Sequence, residues 1–143
     1  MVGSASLVAL AIPGGAASAT SPLTVTCTKL TGSNTTQKFS GCSGSGKSET
    51  GTTGTSTVAK NDKSASVKWA TGKTSTETFT FKKVTPSTCP KLAGETLIEE
   101  VSETGTITGG TATGLKGGKV SGKDCVYTKS GKITVNSLGS QIQ

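Results

Sequence analysis

Apolar and polar residues alternate with a period of two along much of this chain. Leu23, Val25 and Cys27 alternate with Thr24, Thr26 and Thr28, the pattern of a strand with one apolar face and one hydroxyl face. Gln37-Lys38-Phe39-Ser40 predicts a second, weaker strand. Gly41 to Gly54 is rich in Gly, Ser and Thr and predicts a loop running into a short strand near Thr55 to Ala59. Asn61-Asp62-Lys63 marks a turn. Val67 and Trp69, then Phe79 and Phe81, flank Ala70-Thr71-Gly72. A three-residue loop with Gly72 in the left-handed conformation pairs Trp69 with Lys73 and Val67 with Ser75. It places Val67, Trp69, Phe79 and Phe81 on one face. A two-residue loop would separate Trp69 from the phenylalanines, so the apolar pattern selects the longer connection.

The same rule applied to Lys129-Ser130-Gly131 pairs Tyr127 with Ile133 and Cys125 with Val135, and turns Cys125 inward. Leu97 to Thr108 predicts a strand passing through Gly105. Gly109 to Gly118 is a glycine-rich connection, and Val120 begins the strand that enters Cys125. The expectation is an all-β fold: a two-sheet antiparallel β-sandwich of about seven to nine short strands, immunoglobulin-like or related. No fixed-period repeat of the kind a β-helix needs is present.

Composition sharpens this picture. Gly (20), Thr (27) and Ser (19) make up nearly half of the 143 residues, and aromatics are 3%. Such a chain builds a thin core, so covalent cross-links matter. Met1 to Ala19 reads as a secretion signal, with an apolar run from Leu7 to Ile12 and the small-x-small site Ala17-Ser18-Ala19. That segment lacks the usual basic start, which puts Met1 in question as the true start. The run is too short and too interrupted by Pro13 and Gly14 to span a bilayer. The domain reading is therefore residues 1–19 as a removed signal and 20–143 as one domain, extracellular or in the cell envelope. Four cysteines in an oxidising space imply two disulfides, with three possible pairings. Cys27–Cys42 and Cys89–Cys125 are favoured. The first closes a loop of about 15 residues, worth roughly 3 kcal/mol in the chain-entropy view. With no CxxC and no His, a zinc site is not indicated.

The net charge is +7, from fifteen Lys and no Arg. Lysine lacks the rigid two-pronged fork that reads phosphate and carboxylate, so nucleic acid is not the expected partner. The lysines are spread along the chain. They suit a solvated surface, or loose attraction to an anionic envelope polymer or polysaccharide.

Candidate chemistry is sparse. Gly41-Cys42-Ser43-Gly44-Ser45-Gly46-Lys47-Ser48 matches the phosphate-loop pattern GxxxxGK[ST]. The following Glu49-Thr50-Gly51-Thr52-Thr53-Gly54 is a poor helix former, however, and Cys42 is expected in a disulfide, so the match is read as chance. Glu99, Glu100 and Glu103 form the carboxylate cluster, with Leu97, Glu99, Val101, Glu103 and Ile107 on one strand face. Glu99 and Glu103 would lie roughly 13 Å apart, outside the ~5 to 9.5 Å of a glycosidase pair. Glu103 is the side chain to which chemistry would be assigned, and Trp69 and Tyr127 are the candidate ligand contacts. With no His to act as base, nucleophilic catalysis lacks support. Thr74 to Thr78 and Thr104 to Thr108 read as solvent-facing strand threonines. Asn34-Thr35-Thr36 is a formal glycosylation acceptor.

Cys27-Thr28-Lys29-Leu30-Thr31-Gly32, Ser40-Gly41-Cys42, Lys68-Trp69-Ala70-Thr71-Gly72-Lys73-Thr74, Cys89, Thr104 to Thr108, and Val120 to Val126 together give a further indication. The chain resembles the small exported proteins of actinobacteria that carry no assigned function. The resemblance implies export, two disulfides and a β-rich domain, and no activity. The resulting expectation is a monomeric, non-catalytic envelope or extracellular binding module without cofactor or stable membrane insertion. A surface-coat protein with Thr-rich faces, and a hydrolase using a carboxylate, are the alternatives.

Overall fold

The structure is a computed structural model that describes residues 20–139 and 141–143. The expected secretion signal, Met1 to Ala19, lies outside the described residues. The chain forms β1 (Thr26–Gly32), β2 (Thr36–Ser43), a single helical turn α1 (Lys47–Thr50), β3 (Thr53–Val58), β4 (Ser64–Trp69), β5 (Thr74–Val84), β6 (Thr96–Gly109), β7 (Lys119–Lys129), β8 (Lys132–Ser137) and β9 (Gln141–Ile142). A 3-10 turn, Thr113–Leu115, interrupts the β6–β7 connection. All-β is the class, as the alternation predicts.

The architecture differs from the expected sandwich. Each strand from β1 to β8 pairs antiparallel with its neighbours in sequence, and β8 returns to pair with β1 through Thr31↔Asn136 and Gly32↔Val135. That closes an up-and-down barrel, the two-sheet sandwich being replaced by one continuous ring. The physical reason is that period-two alternation records one buried face per strand. It carries no information on whether the sheet splits in two or curls onto itself. β9 pairs with Thr26 and Cys27 of β1 and with Ser121 of β7, so it continues the line of β8 toward the other end of the barrel.

The Trp69 hairpin forms as its pattern predicts. Val67 pairs with Ser75, Trp69 N–H donates to the Lys73 carbonyl (2.9 Å), and Gly72 has φ +88°. Ala65, Val67, Trp69, Ser75, Glu77 and Phe79 all point inward and are buried. The C-terminal hairpin does not follow the same rule. Lys129 pairs with Lys132 and Tyr127 with Thr134, leaving a two-residue loop of Ser130 (φ 50°) and Gly131 (φ 76°), the double left-handed turn that suits strand twist. Val126 and Val135 therefore pair on the inner face. Cys125 and Tyr127 turn outward, contrary to the expected inward cysteine. They are buried all the same, because the segment between β5 and β6 folds over them.

That segment is a strap held at several points. Cys89 is bonded to Cys125, Tyr127 Oη donates to the Pro90 carbonyl (2.6 Å), and Thr134 Oγ1 donates to Glu95 (2.6 Å). Glu100, fully buried beneath the strap, accepts from the Thr88 N–H and from the hydroxyls of Ser87 and Thr88. Cys27 is bonded to Cys42 between β1 and β2, so both bridges have the favoured pairing.

The barrel's two ends differ. At the floor, Trp69 stacks on Phe39 (ring centroids 5.7 Å) and donates Nε1–H to Ser75 Oγ (3.1 Å). Gly54 lies flat beneath this indole, where a Cβ would come within 2.6 Å of the ring. Val25, Leu115, Ala112 and Ile107 complete the apolar plug. Leu23 N–H to the Gly114 carbonyl and Gly46 N–H to the Thr24 carbonyl (both 2.8 Å) stitch its cover together. Leu23 and Val25, expected within the first strand, belong instead to this cover. The opposite end, ringed by the β1–β2 and β3–β4 turns and the top of β6, is open.

Two outcomes test this account. Gly72→Val meets no side chain, so its cost is backbone strain alone, about 1–2 kcal/mol. A lowered thermal midpoint is expected, and an unchanged one would reject the left-handed loop. Reducing the disulfides should lower stability by roughly 3–4 kcal/mol for each bridge, read from denaturant midpoints with and without reductant. Coincident curves would show that the core stands without its cross-links.

Candidate functional site

The open end leads into a cavity of about 200 Å³ inside the barrel mouth. Val58, Phe81, Val101, Val126 and Val135 supply its apolar wall. The amides of Asn34 and Gln37 and the carboxylates of Asp62, Glu99 and Asp124 supply its polarity. Beneath it a second, much smaller space is lined in part by Phe79, Glu77 and Glu103. Five of the chain's eight acidic residues thus line these two spaces, Asp62 and Glu99 at the rim and the others within, and none of its fifteen lysines does. Lys83 approaches from the rim, its Nζ 4.0 Å from Glu99.

Alternation places these acids. In β6, Glu99, Val101 and Glu103 share the inward face, and Val101 pairs with Asp124 of β7. Glu103 sits opposite Gly122, with Gly105 two residues along, and these side-chain-free positions leave room for its carboxyl. Asp124 and Glu103 are diagonal neighbours on adjacent strands, with Cα atoms about 7–8 Å apart. Glu77 of β5 is 2% exposed and lies deeper, where the Gln143 amide, oriented to donate, meets both its carboxylate oxygens (2.9 and 3.1 Å).

Burial sets the protonation of this set. Desolvation, then the charge of Glu103, pushes Glu77 up to about 8, with the Gln143 amide opposing. Desolvation, then Asp124, pushes Glu103 to about 7, and desolvation pushes Asp124 to about 7. Burial is thus the largest cause for all three, and neighbouring carboxylates add to it at Glu77 and Glu103. Two acids outside the barrel go the other way. The Thr88 N–H beneath the strap lowers Glu100 first of all, and the Lys73 hydrogen bond (2.8 Å) lowers Glu49.

Sequence reasoning picked out Glu103 and missed Glu77 and Asp124. Glu77 shares the parity of Trp69, Val67 and Phe79, which is the signal that places it inside. Asp124 was hidden by the hairpin register, since turning Cys125 inward turns Asp124 out. Glu99 faces the cavity as its parity predicts. Leu97 does not share its face, because an irregularity between Leu97 and Glu99 shifts the register. Trp69 and Tyr127, the candidate ligand contacts, are 2% and 1% exposed. One is the floor of the barrel and the other is the anchor of the strap.

The phosphate-loop match is occupied by other work. Gly41, Cys42 and Ser43 belong to β2, Cys42 is disulfide-bonded, and the helix that follows is four residues long. Among the described residues no group of His, Cys, Asp and Glu could hold a metal ion, and no helix is long and apolar enough to cross a membrane. Phe81 (42%) and Ile98 (45%) are the exposed large apolar side chains among the described residues. No protein family, curated protein or solved structure matches the chain.

The pH dependence follows from these directions. Acids raised by burial contribute stability that is full below their unfolded values near 4 and is lost as pH rises through 7 to 8. Glu49 and Glu100, being lowered, act only below about pH 4.5. The thermal midpoint should therefore fall by about 5 °C or more between pH 5 and pH 8, and Glu103→Gln should flatten that slope. A midpoint that rises over this window would contradict the buried placement of the three acids.

Proposed function

We propose that this protein is a non-catalytic binding domain of the extracellular space or cell envelope, and that its ligand enters the barrel mouth. The observation that carries this reading is the contrast between the mouth and the rest of the molecule. A chain of net charge +7 concentrates carboxylates on an apolar-walled cavity that no lysine lines. Convergent polar groups in an apolar concavity are the common form of a small-molecule site, and the mouth of a β-barrel is a common place for one. The volume is below the ~300 Å³ of drug-sized sites, which suits a small molecule or the end group of a larger one. The chemistry that complements the wall is an apolar body bearing an ammonium or similar cation. Phe81, 42% exposed, carries the apolar wall out to the rim. Export is part of this proposal, and two disulfides support an oxidising environment.

Hydrolysis by a carboxylate pair is the second reading, because Glu103 and Asp124 are neighbours within the barrel. Acid–base catalysis works best when the environment drives two groups apart, so that one donates and the other accepts. Here burial drives both in the same direction, to about 7, which favours binding over catalysis.

Benzylammonium is a suitable probe, with benzyl alcohol as its uncharged counterpart. Titration followed by NMR should shift the methyl resonances of Val101, Val126 and Val135 with the cation and much less with the alcohol. Because a bound cation favours the ionised carboxylates, affinity should rise roughly tenfold from pH 6 to pH 8 with proton release, and Asp124→Asn should weaken it about tenfold or more. Equal response to both probes, or shifts confined to other parts of the barrel, would overturn the proposal.

A further inference from the structure

Lysines that are scattered in sequence are gathered by the fold. On the outer face of β1 to β5, strand register builds a grid. One row runs Thr31, Lys38, Thr55, Lys68, Thr74 across five adjacent strands, and the row above it runs Thr36, Thr57, Ser66, Thr76. Below them lie Lys29, Ser40 and Thr53. Lys29, Lys38 and Lys68 line one broad, shallow groove of about 550 Å³, with hydroxyls of Thr31, Ser40 and Thr55 between them. Lys38 and Lys68 stand two strands apart, about 10 Å. Lys29 and Lys38 are diagonal neighbours at about 7–8 Å. All three are exposed, and none forms an ion pair among the described residues. The acids within the β1–β4 stretch are Glu49, held by Lys73, and Asp62 at the mouth. The groove is therefore a cationic, hydroxyl-bearing surface with no acidic lining.

We propose that this groove binds an anionic polysaccharide, a glycan chain carrying carboxylate or phosphate groups. Charge complementarity and chemistry both select this occupant. Lysines spaced at about 7–10 Å meet repeated anions along an extended chain, and the threonine and serine hydroxyls between them both donate to and accept from sugar hydroxyls. Nucleic acid fits less well. Arginine is absent from the chain, and no exposed aromatic stands on this face for a base to stack upon. A lipid surface fits less well again: the large apolar side chains of the lining, Phe39 and Trp69, are buried, and Ala70 is too small to insert. The groove opens on the outer wall and makes no use of the mouth carboxylates, so the two proposals fail independently.

The test compares two triple variants of equal charge. One is Lys29→Gln, Lys38→Gln and Lys68→Gln. The other is Lys60→Gln, Lys91→Gln and Lys129→Gln, which changes exposed lysines outside the groove. Circular dichroism and thermal midpoints confirm that both fold. The probes are polygalacturonate, neutral dextran of similar length and a single-stranded DNA oligonucleotide, at low and at physiological salt. The expected result is binding of polygalacturonate over dextran, weakened by salt, with at least a tenfold loss in the groove variant and less than threefold in the control. Equal loss in both variants would show that diffuse net charge is responsible, and would overturn the groove. Absence of polygalacturonate binding at low salt would overturn it as well. Preference for the oligonucleotide would overturn it in favour of a nucleic-acid surface.

Discussion

The pairing of β1 with β8 is the contact on which the rest of the molecule depends. It is short, running through Thr31↔Asn136 and Gly32↔Val135, with Leu30 N–H donating to Ser137 Oγ (2.9 Å). Every other pairing between successive strands joins neighbours in sequence, so a meander can assemble locally and meet its own first strand at the end. Without closure, two strand edges would be exposed and the interior carboxylates would lie open to water. The Cys27–Cys42 bridge supports the closure by fixing β1 to β2. β9 supports it from the other side, lying between β1 and β7.

The barrel divides its labour along its axis. The floor concentrates what bulk the sequence has, with Trp69, Phe39, Leu115 and Ile107 packed and Gly54 giving the indole room. The upper half holds valines, amides and acids. Burying carboxyl groups there is unfavourable unless they are protonated or partnered, and a chain poor in aromatics has little stability to spare. Local conflict of this kind, set within an otherwise consistent pattern, is what the proposed ligand site would account for. The strap makes the opposite use of a buried acid. Glu100 gathers donors from Ser87 and Thr88 on its Oε2 and orders the segment around it.

The disulfide pairing was the favoured one of the three that four cysteines allow, while most strand positions and the Trp69 hairpin were legible because each follows from local alternation. Closure was not, because a strand buried on one face reads the same in a sandwich and in a barrel. The C-terminal hairpin was misread because Cys125 and Tyr127 look like core residues. They are buried, but against the strap, a second small core outside the barrel that no period-two rule anticipates. That one misplaced turn reversed the parity of β7 and concealed Asp124. Glu77, by contrast, was within reach, since its odd number places it beside Phe79 and the inward face of the Trp69 hairpin.

The separation of charge between the barrel's wall and its interior has a kinetic side. A small cation approaching from solution meets a positive exterior before it reaches the negative mouth, and long-range repulsion slows encounter at low ionic strength. Dissolved salt shortens the reach of that field to about 10 Å or less, while the short contacts inside a half-dry cavity are screened far less. Arrival at the mouth would accordingly speed up with added salt and residence would change little. A polyanion on the outer wall would respond in the opposite sense. One molecule thus holds two electrostatic regimes within a single shell of backbone.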